Sequence, residues 1–185
     1  MVDDAHGAGT LGKTGKGSIE MELVSRDRVV QNITLSKALG VYGGAILCSH
    51  KLRAQFATSR MIVGSTPLPL PLAFAAGQAL QILRRDKTLR CRLEQNSTFL
   101  KSALRQAGFT LPDAPGPIVP LHFDELKQIA RVKRALFAAD ILPPLIHYPG
   151  SPANGYFRFV ISSEHTQRQL EKLVRVLRPF AATAH

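Results

Sequence analysis

The sequence predicts an α/β chain in two parts: a few strands with accompanying helices, then a small α+β domain. Three observations carry this. Apolar residues make up 45% of the 185 positions, enough to build a packed core. Short apolar runs of strand length alternate with longer stretches of helical periodicity. The texture also changes after Gly108, where strand-like "PIVPLHF" opens a new pattern. The expected division is 1–85 for the first part, and 86–185 for a long connecting helix plus the small C-terminal domain.

Met1 and Val2 read as the last two residues of a strand. A strand usually needs about five residues, so the chain is expected to begin inside an element of a larger protein. "GAGTLGKTGKGS" carries Gly7, Gly9, Gly12, Gly15 and Gly17 and reads as a loop. A short helix is expected near Ile19 to Val24, strands over 28–35 and 43–48, and a helix over 51–60. The short interval between the two strands predicts a hairpin or neighbouring strands. From Leu72 the pattern turns helical. Leu89, Leu93, Leu100 and Leu104 recur at near-helical spacing, predicting one long or broken helix to Ala107, with Gly108 as its stop. Beyond it come a strand at 117–123, a helix at 124–139, the run "ILPPLIHY", a strand at 156–162 and a last helix. Leu170, Leu173, Val174 and Leu177 share one face of that helix.

The net charge is +11, which invites an anionic partner. Its source is local. Seven basic residues lie between Arg84 and Arg105, with further sets at Lys127, Arg131, Lys133, Arg134 and at Arg168, Lys172, Arg175, Arg178. Aromatic interleaving and nucleic-acid signatures are absent from these stretches, so they read as solvated helix faces and no nucleic-acid partner is expected. No apolar run reaches the roughly 18 residues of a membrane helix, so no membrane association is expected. The nearest candidate is interrupted by Pro67, Pro69 and Pro71. The acidic start lacks the basic region of a signal peptide. Cys48 and Cys91 form no CxxC pair and no zinc-type spacing, which reads as two reduced thiols in a cytoplasmic protein and predicts no metal site.

A handful of residues could carry chemistry. Lys37 closes an apolar strand in "TLSKALG". A lysine beside a core loses hydration, its pKa falls, and the neutral amine becomes a nucleophile toward aldehydes. The other reading is a strand-end lysine that snorkels to solvent. Asp3 and His6, three apart at a strand exit, sit where ligands bind if the sheet is parallel. The plainer reading is a turn-capping aspartate and a loop histidine. The hydroxyl of Thr34 suits an anion such as phosphate. So do Ser65 and Thr66, which otherwise read as a helix cap. In "GYFRFVIS", alternation puts Arg158 with Tyr156, Val160 and Ser162 on the more polar face. There its guanidinium can grip a carboxylate or simply face solvent.

The order "DDAHGAGTLGKTGKGS", "TLSKALGVYGG", "STPLP", "RFVISSEHT" resembles the carboxyl-terminal half of the α-oxoamine synthases. These are fold-type-I pyridoxal-phosphate enzymes of aminotransferase class II. The first two motifs sit closest to the branches holding 8-amino-7-oxononanoate synthase and glycine C-acetyltransferase. The resemblance covers essentially the whole chain. It implies a partial fold-type-I large domain, a cytoplasmic homodimer, and pyridoxal 5'-phosphate as cofactor. It also implies acyl-CoA and amino-acid substrates joined in a decarboxylating condensation to an α-amino ketone, as in biotin biosynthesis. By position, Lys37 matches the lysine that holds the cofactor and moves the substrate Cα proton. Asp3 matches the aspartate on the ring nitrogen, and His6 the histidine near the ring hydroxyl. Thr34 matches a phosphate ligand. Ser65 and Thr66 match the hydroxyls sent to the neighbouring subunit's cofactor, and Arg158, seven residues before His165, the arginine for the amino-acid carboxylate.

Two departures modify these expectations. Gly155 lies closer to Arg158 than the family pattern has it. Family members are also about twice as long, so the half carrying most of the large-domain sheet is expected to be missing. Two outcomes stay open: the cofactor-lysine half of an enzyme, inactive alone, or a non-catalytic truncated paralogue acting as a dimerising module.

Overall fold

The computed structural model describes residues 1–183. Residue contacts divide the chain into two compact units, Met1–Arg90 and Cys91–His185.

The first unit is built on a three-stranded sheet of β1 (Val2–Asp3), β2 (Gln31–Thr34) and β3 (Gly44–Leu47), in that order. β1 runs parallel to β2, with Asp3 opposite Asn32. β2 and β3 pair antiparallel, Ile33 opposite Ala45, as the expected hairpin. β2 is shorter than its apolar run because Arg26–Arg28 coil into a 3-10 turn, begun by the Ser25 hydroxyl accepting from the Asp27 amide. Between β1 and β2 lie the glycine loop and α1 (Ser18–Met21). After β3 comes α2 (His50–Ala57), capped by the Ser49 hydroxyl on the Leu52 amide at 3.3 Å. α3 (Leu70–Arg85) starts through Pro69 and Pro71, which fit a helix's first turn.

The long helical stretch is broken. α3 ends at Asp86, whose carboxylate accepts from the amide and hydroxyl of Thr88 at 2.8 and 2.6 Å and so starts α4 (Thr88–Gln106). The unit boundary falls inside α4. Gly108 ends it as expected, with the Phe109 amide donating back to the Leu104 carbonyl at 3.0 Å. Among the described residues, no helix is long and apolar enough to cross a membrane.

The second unit holds an antiparallel sheet in the order β4 (Ile118–Leu121), β6 (Tyr156–Val160), β5 (Leu145–Ile146). The end of α4, α5 (Leu126–Ala138) and α6 (Gln167–Leu177) pack core residues with it. Alternation along β6 works as the sequence implies: Phe157 and Phe159 are buried while Tyr156 and Arg158 are half-buried. Phe157 stands edge-on to Phe123, 5.8 Å between centroids, and stacks on Phe159 at 6.3 Å. These rings join Leu100, Leu104, Val132, Leu136, Leu173 and Leu177 in one continuous apolar cluster. α6 opens with a reciprocal cap between Thr166 and Gln169. The "SSEHT" segment before it is a sewn turn. The Ser162 amide donates to His165 Nδ1 at 3.0 Å, and Asn96 from α4 donates to the carbonyls of Ser162 and His165.

Phe157 is wholly buried, so Phe157→Ala should destabilise the second unit by about 3–5 kcal/mol through lost transfer energy and a residual cavity. Urea denaturation followed by hydrogen exchange of α6 amides measures it.

Candidate active site

Asp4, directly after β1, organises the loop that follows. Its carboxylate is buried and accepts from the Ser18 amide at 3.0 and 3.2 Å and from Gln31 Nε2 at 2.6 Å. Gly7 and Gly17 line this cradle, and a Cβ on either would overlap the Asp4 carboxylate. Gln31 in turn donates to the Lys16 carbonyl at 3.0 Å and accepts from Arg26. One buried charge thus ties β1, β2 and both ends of the glycine loop together.

The middle of the loop is held by Glu20. It accepts from the amides of Thr14 and Lys16 at 3.0–3.1 Å and from the Thr14 hydroxyl at 2.7 Å. Burial pushes this carboxyl upward, but the donors on Lys16 and Thr14 outweigh it and hold it below its ordinary 4.5.

The turn after β2 approaches this loop. Thr34 Oγ1 accepts from the Ser36 amide at 3.2 Å and donates to the Gly43 carbonyl at 3.3 Å. The Leu35 amide reaches Gly43 and the Val41 amide reaches Leu35, both at 2.9 Å. Gly9 meets Ala38 so closely that a Cβ there would collide with the Ala38 methyl. Between the two segments, Lys37 Nζ lies 3.0 Å from His6 Nε2.

Four residues singled out from the sequence are thereby placed at the carboxyl ends of a parallel strand pair, where α/β sheets bind ligands. Asp3 ends β1, and its Oδ1 accepts from the Ala5 amide at 3.0 Å. His6 and Lys37 touch, and Thr34 ends β2. Of the two readings open for Lys37, the solvent-facing strand-end lysine is the one observed: β2 stops at Thr34, and Lys37 stands three residues beyond it, exposed. Ser65 and Thr66 occupy an exposed turn, where Ser65 Oγ donates to the Ile62 carbonyl at 2.7 Å. Neither caps α3, whose N-cap is Pro69. Arg158 belongs to the second unit. Its Nη1 donates to the Tyr148 hydroxyl at 3.3 Å, and the guanidinium stacks 5.9 Å from that ring's centre. Asp4 and Gln31 are the residues that the sequence reading missed. The doubled aspartate of "DDAH" was the available signal, because alternation sends two neighbours to opposite faces.

An amine, an imidazole, a carboxylate and a hydroxyl thus gather near the carboxyl ends of β1 and β2, and comparison with known proteins gives the family. Residues 1–177 match the aminotransferase class I and II family, and the chain belongs to that family. It is 36% identical over 179 residues to 8-amino-7-oxononanoate synthase of Xylella fastidiosa (strain M12), covering 95% of this chain and 45% of that protein. To the enzyme of the same name from Trichlorobacter lovleyi it is 31% identical over 181 residues, covering 96% and 46%. Among solved structures, Sphingomonas wittichii serine palmitoyltransferase superposes with a TM-score of 0.84 at 27% identity, covering 96% of this chain and 46% of that one. Francisella tularensis 8-amino-7-oxononanoate synthase gives 0.84 at 27%, covering 98% and 54%. A serine palmitoyltransferase solved with pyridoxal phosphate gives 0.85 at 26%, covering 96% and 46%. These likenesses bear out the family resemblance carried by the motifs. The chain spans about half the length of the curated relatives it matches.

Two outcomes follow from the loop's anchors. Asp4→Ala strands the Ser18 amide and the Gln31 side chain, costing roughly 1–3 kcal/mol, and should accelerate hydrogen exchange at Ser18. Glu20 has a lowered folded-state pKa, so its stabilisation is complete above 4.5 and is lost as pH falls through the folded value. Exchange protection at the Thr14 and Lys16 amides, followed by NMR and corrected for intrinsic rates, should fall below pH 4.5 and hold above it.

Proposed function

We propose that this chain is the cofactor-lysine half of a pyridoxal-phosphate-dependent acyl-CoA:amino-acid C-acyltransferase of the 8-amino-7-oxononanoate synthase type. The observation that carries the reading is the meeting of Lys37 Nζ and His6 Nε2, 3.0 Å apart, beside Asp3 at the ends of two parallel strands. The donor set fits the cofactor. An amine suits an aldehyde, a carboxylate suits a protonated ring nitrogen, the imidazole suits the ring oxygen, and the Thr34 hydroxyl would suit the phosphate on turning its proton away from the Gly43 carbonyl. When bound, pyridoxal phosphate supplies an electron-withdrawing ring that stabilises negative charge on a substrate carbon.

This chain's residues have separable tasks. Lys37 would be the amine that holds the cofactor's aldehyde and the base that moves the substrate Cα proton. His6 places its Nε2 within hydrogen-bond distance of the amine. Asp3 keeps a proton on the ring nitrogen through charge. Thr34 also fixes the turn that presents Lys37, through its bonds to Ser36 and Gly43. Arg158 grips the amino-acid carboxylate, with Tyr148 holding its guanidinium. Ser65 and Thr66, on an exposed turn, serve the phosphate of a neighbouring subunit in a homodimer. The proposed setting is cytoplasmic, in biotin biosynthesis, with residues 1–85 as a large-domain remnant and 86–185 as the connecting helix and small domain. The chain alone lacks half of what its relatives contain, so we place it below detectable turnover.

A second reading, a non-catalytic paralogue that serves as a dimerising module, draws support from the exposure of Lys37. Treatment with pyridoxal phosphate and then borohydride separates the two. The enzyme reading expects tryptic peptides labelled preferentially at Lys37, a label abolished in Lys37→Ala. Uniform labelling across surface lysines favours the module. Turnover of alanine with a pimeloyl thioester by the isolated chain would overturn its proposed inactivity.

A further inference from the structure

The hairpin of the first unit and the helix α3 do not close on each other. A cavity of about 400 Å³ lies between them, within the size range of small-ligand sites. Ile33, Ala45 and Leu47 form its sheet wall. Antiparallel pairing sets Ile33 opposite Ala45 and Gln31 opposite Leu47, so all three apolar side chains share one face. Ala76, Leu80 and Leu83 form the facing wall, at the i, i+4, i+7 spacing of a single helix face. Both walls are hydrocarbon, and the helix wall extends for about 10 Å, two turns.

The charged lining is of one sign. Lys16, Arg26, Arg84 and Arg90 border the cavity, and among the described residues no acidic side chain does. A run of contacts links these cations. Gln31 accepts from Arg26 and donates to the Lys16 carbonyl at 3.0 Å. Gly15, beside Lys16, packs on Arg90: a Cβ there would lie 3.1 Å from Arg90 Cδ. Arg90 Nη1 donates to the carbonyl of Leu83 at 3.1 Å, next to Arg84. The bonds that orient Arg26 and Arg90 thus end on neutral acceptors. Among the described residues, no carboxylate makes an ion pair with Arg26, Arg84 or Arg90. Cations gathered at the border of an apolar cleft attract an anion to it.

Hydrocarbon walls with a cationic border match an amphiphile that has an aliphatic tail and one anionic head. A neutral apolar ligand would leave the arginines without a counter-charge, and a polyanion would leave the walls uncovered. An arginine fork also matches a carboxylate in shape. We propose that this cavity binds a free medium-chain aliphatic carboxylate, its tail between the hairpin and α3 and its head on Arg84 and Arg90. Asp3, His6 and Lys37 do not line the cavity, so the site stands apart from the proposed cofactor groups. Among the described residues of the first unit, the buried hydrophobic side chains are Ile19, Leu35 and Val41. A tail in this void adds apolar burial where the unit has little, and the bound ligand stabilises it by mass action.

Calorimetric titration of the full chain at pH 7 with hexanoate, octanoate and decanoate, each below its micelle concentration, tests this. Affinity should rise about two- to fourfold per added methylene, and decanol should bind at least tenfold more weakly than decanoate. At ten times its dissociation constant, decanoate should slow hydrogen exchange of the β2 and β3 amides about tenfold and leave α6 unchanged. Ala76→Phe, which fills the cavity, should abolish binding. Arg84→Gln should weaken it at least fivefold and Arg84→Lys by less, with protection at the Thr14 and Lys16 amides reporting that the loop stays folded. Lys37→Ala should bind as the parent does, so failure of the catalytic reading leaves this site standing. The proposal is overturned if hexanoate or decanol binds as tightly as decanoate, or if Ala76→Phe or Arg84→Gln binds as the parent does. It is overturned equally if Lys37→Ala loses binding, which would put the carboxylate on that amine, or if the slowed exchange tracks protein concentration, the mark of self-association.

Discussion

A buried carboxylate holds the candidate site in place. Asp4 accepts from Ser18 across the glycine loop and from Gln31 on the neighbouring strand, and two glycines leave room for it. Such a group is costly to bury unless satisfied, and here it accepts from donors on both sides. The consequence is positional. His6, two residues beyond Asp4, can only lie near the strand exit. Lys37 is brought to it from the other side by the Thr34-braced turn. The 3.0 Å approach of Lys37 to His6 is the product of two independent loop anchors.

That division of labour explains why adjacent aspartates have unlike surroundings. Asp4 turns inward and is fully engaged in structure. Asp3 faces out, with a single bond to the Ala5 amide. An exposed carboxylate at the end of a parallel strand remains available to a ligand in a way that a buried, saturated one does not. The proposed charge partner of a ring nitrogen is thus the aspartate that the fold uses less.

Much of this was legible in the sequence, for identifiable reasons. Strong two-residue alternation in β6 and 3.6-residue periodicity in α6 each have one buried face, and both elements appear where the pattern puts them. The hairpin was legible from the short interval between its strands. Less legible were the ends. β2 loses its first residues to a 3-10 turn begun by a single serine hydroxyl, and the α3–α4 break rests on Asp86 capping Thr88. Both depend on local side-chain bonds, which periodicity does not register. Exposure of Lys37 was one of two readings that the sequence left open. Apolar neighbours in sequence indicate burial only where enough tertiary structure surrounds them, and the first unit provides little of it.

The contrast between the units bears on what each can do. In the second, Arg158 rides on a strand whose alternate residues, Phe157 and Phe159, are locked in a closed aromatic and aliphatic core. Its guanidinium is therefore presented from a rigid base and oriented further by Tyr148. In the first, order around Lys37 comes from polar anchors, Asp4, Glu20 and Thr34, rather than from apolar burial. Polar anchors fix local geometry well, but they exclude water poorly, and an amine becomes nucleophilic at neutral pH when water is excluded. Geometry here is thus set by polar bonds at the strand ends, which bring Lys37 Nζ to 3.0 Å from His6 Nε2 on a unit that buries few apolar side chains.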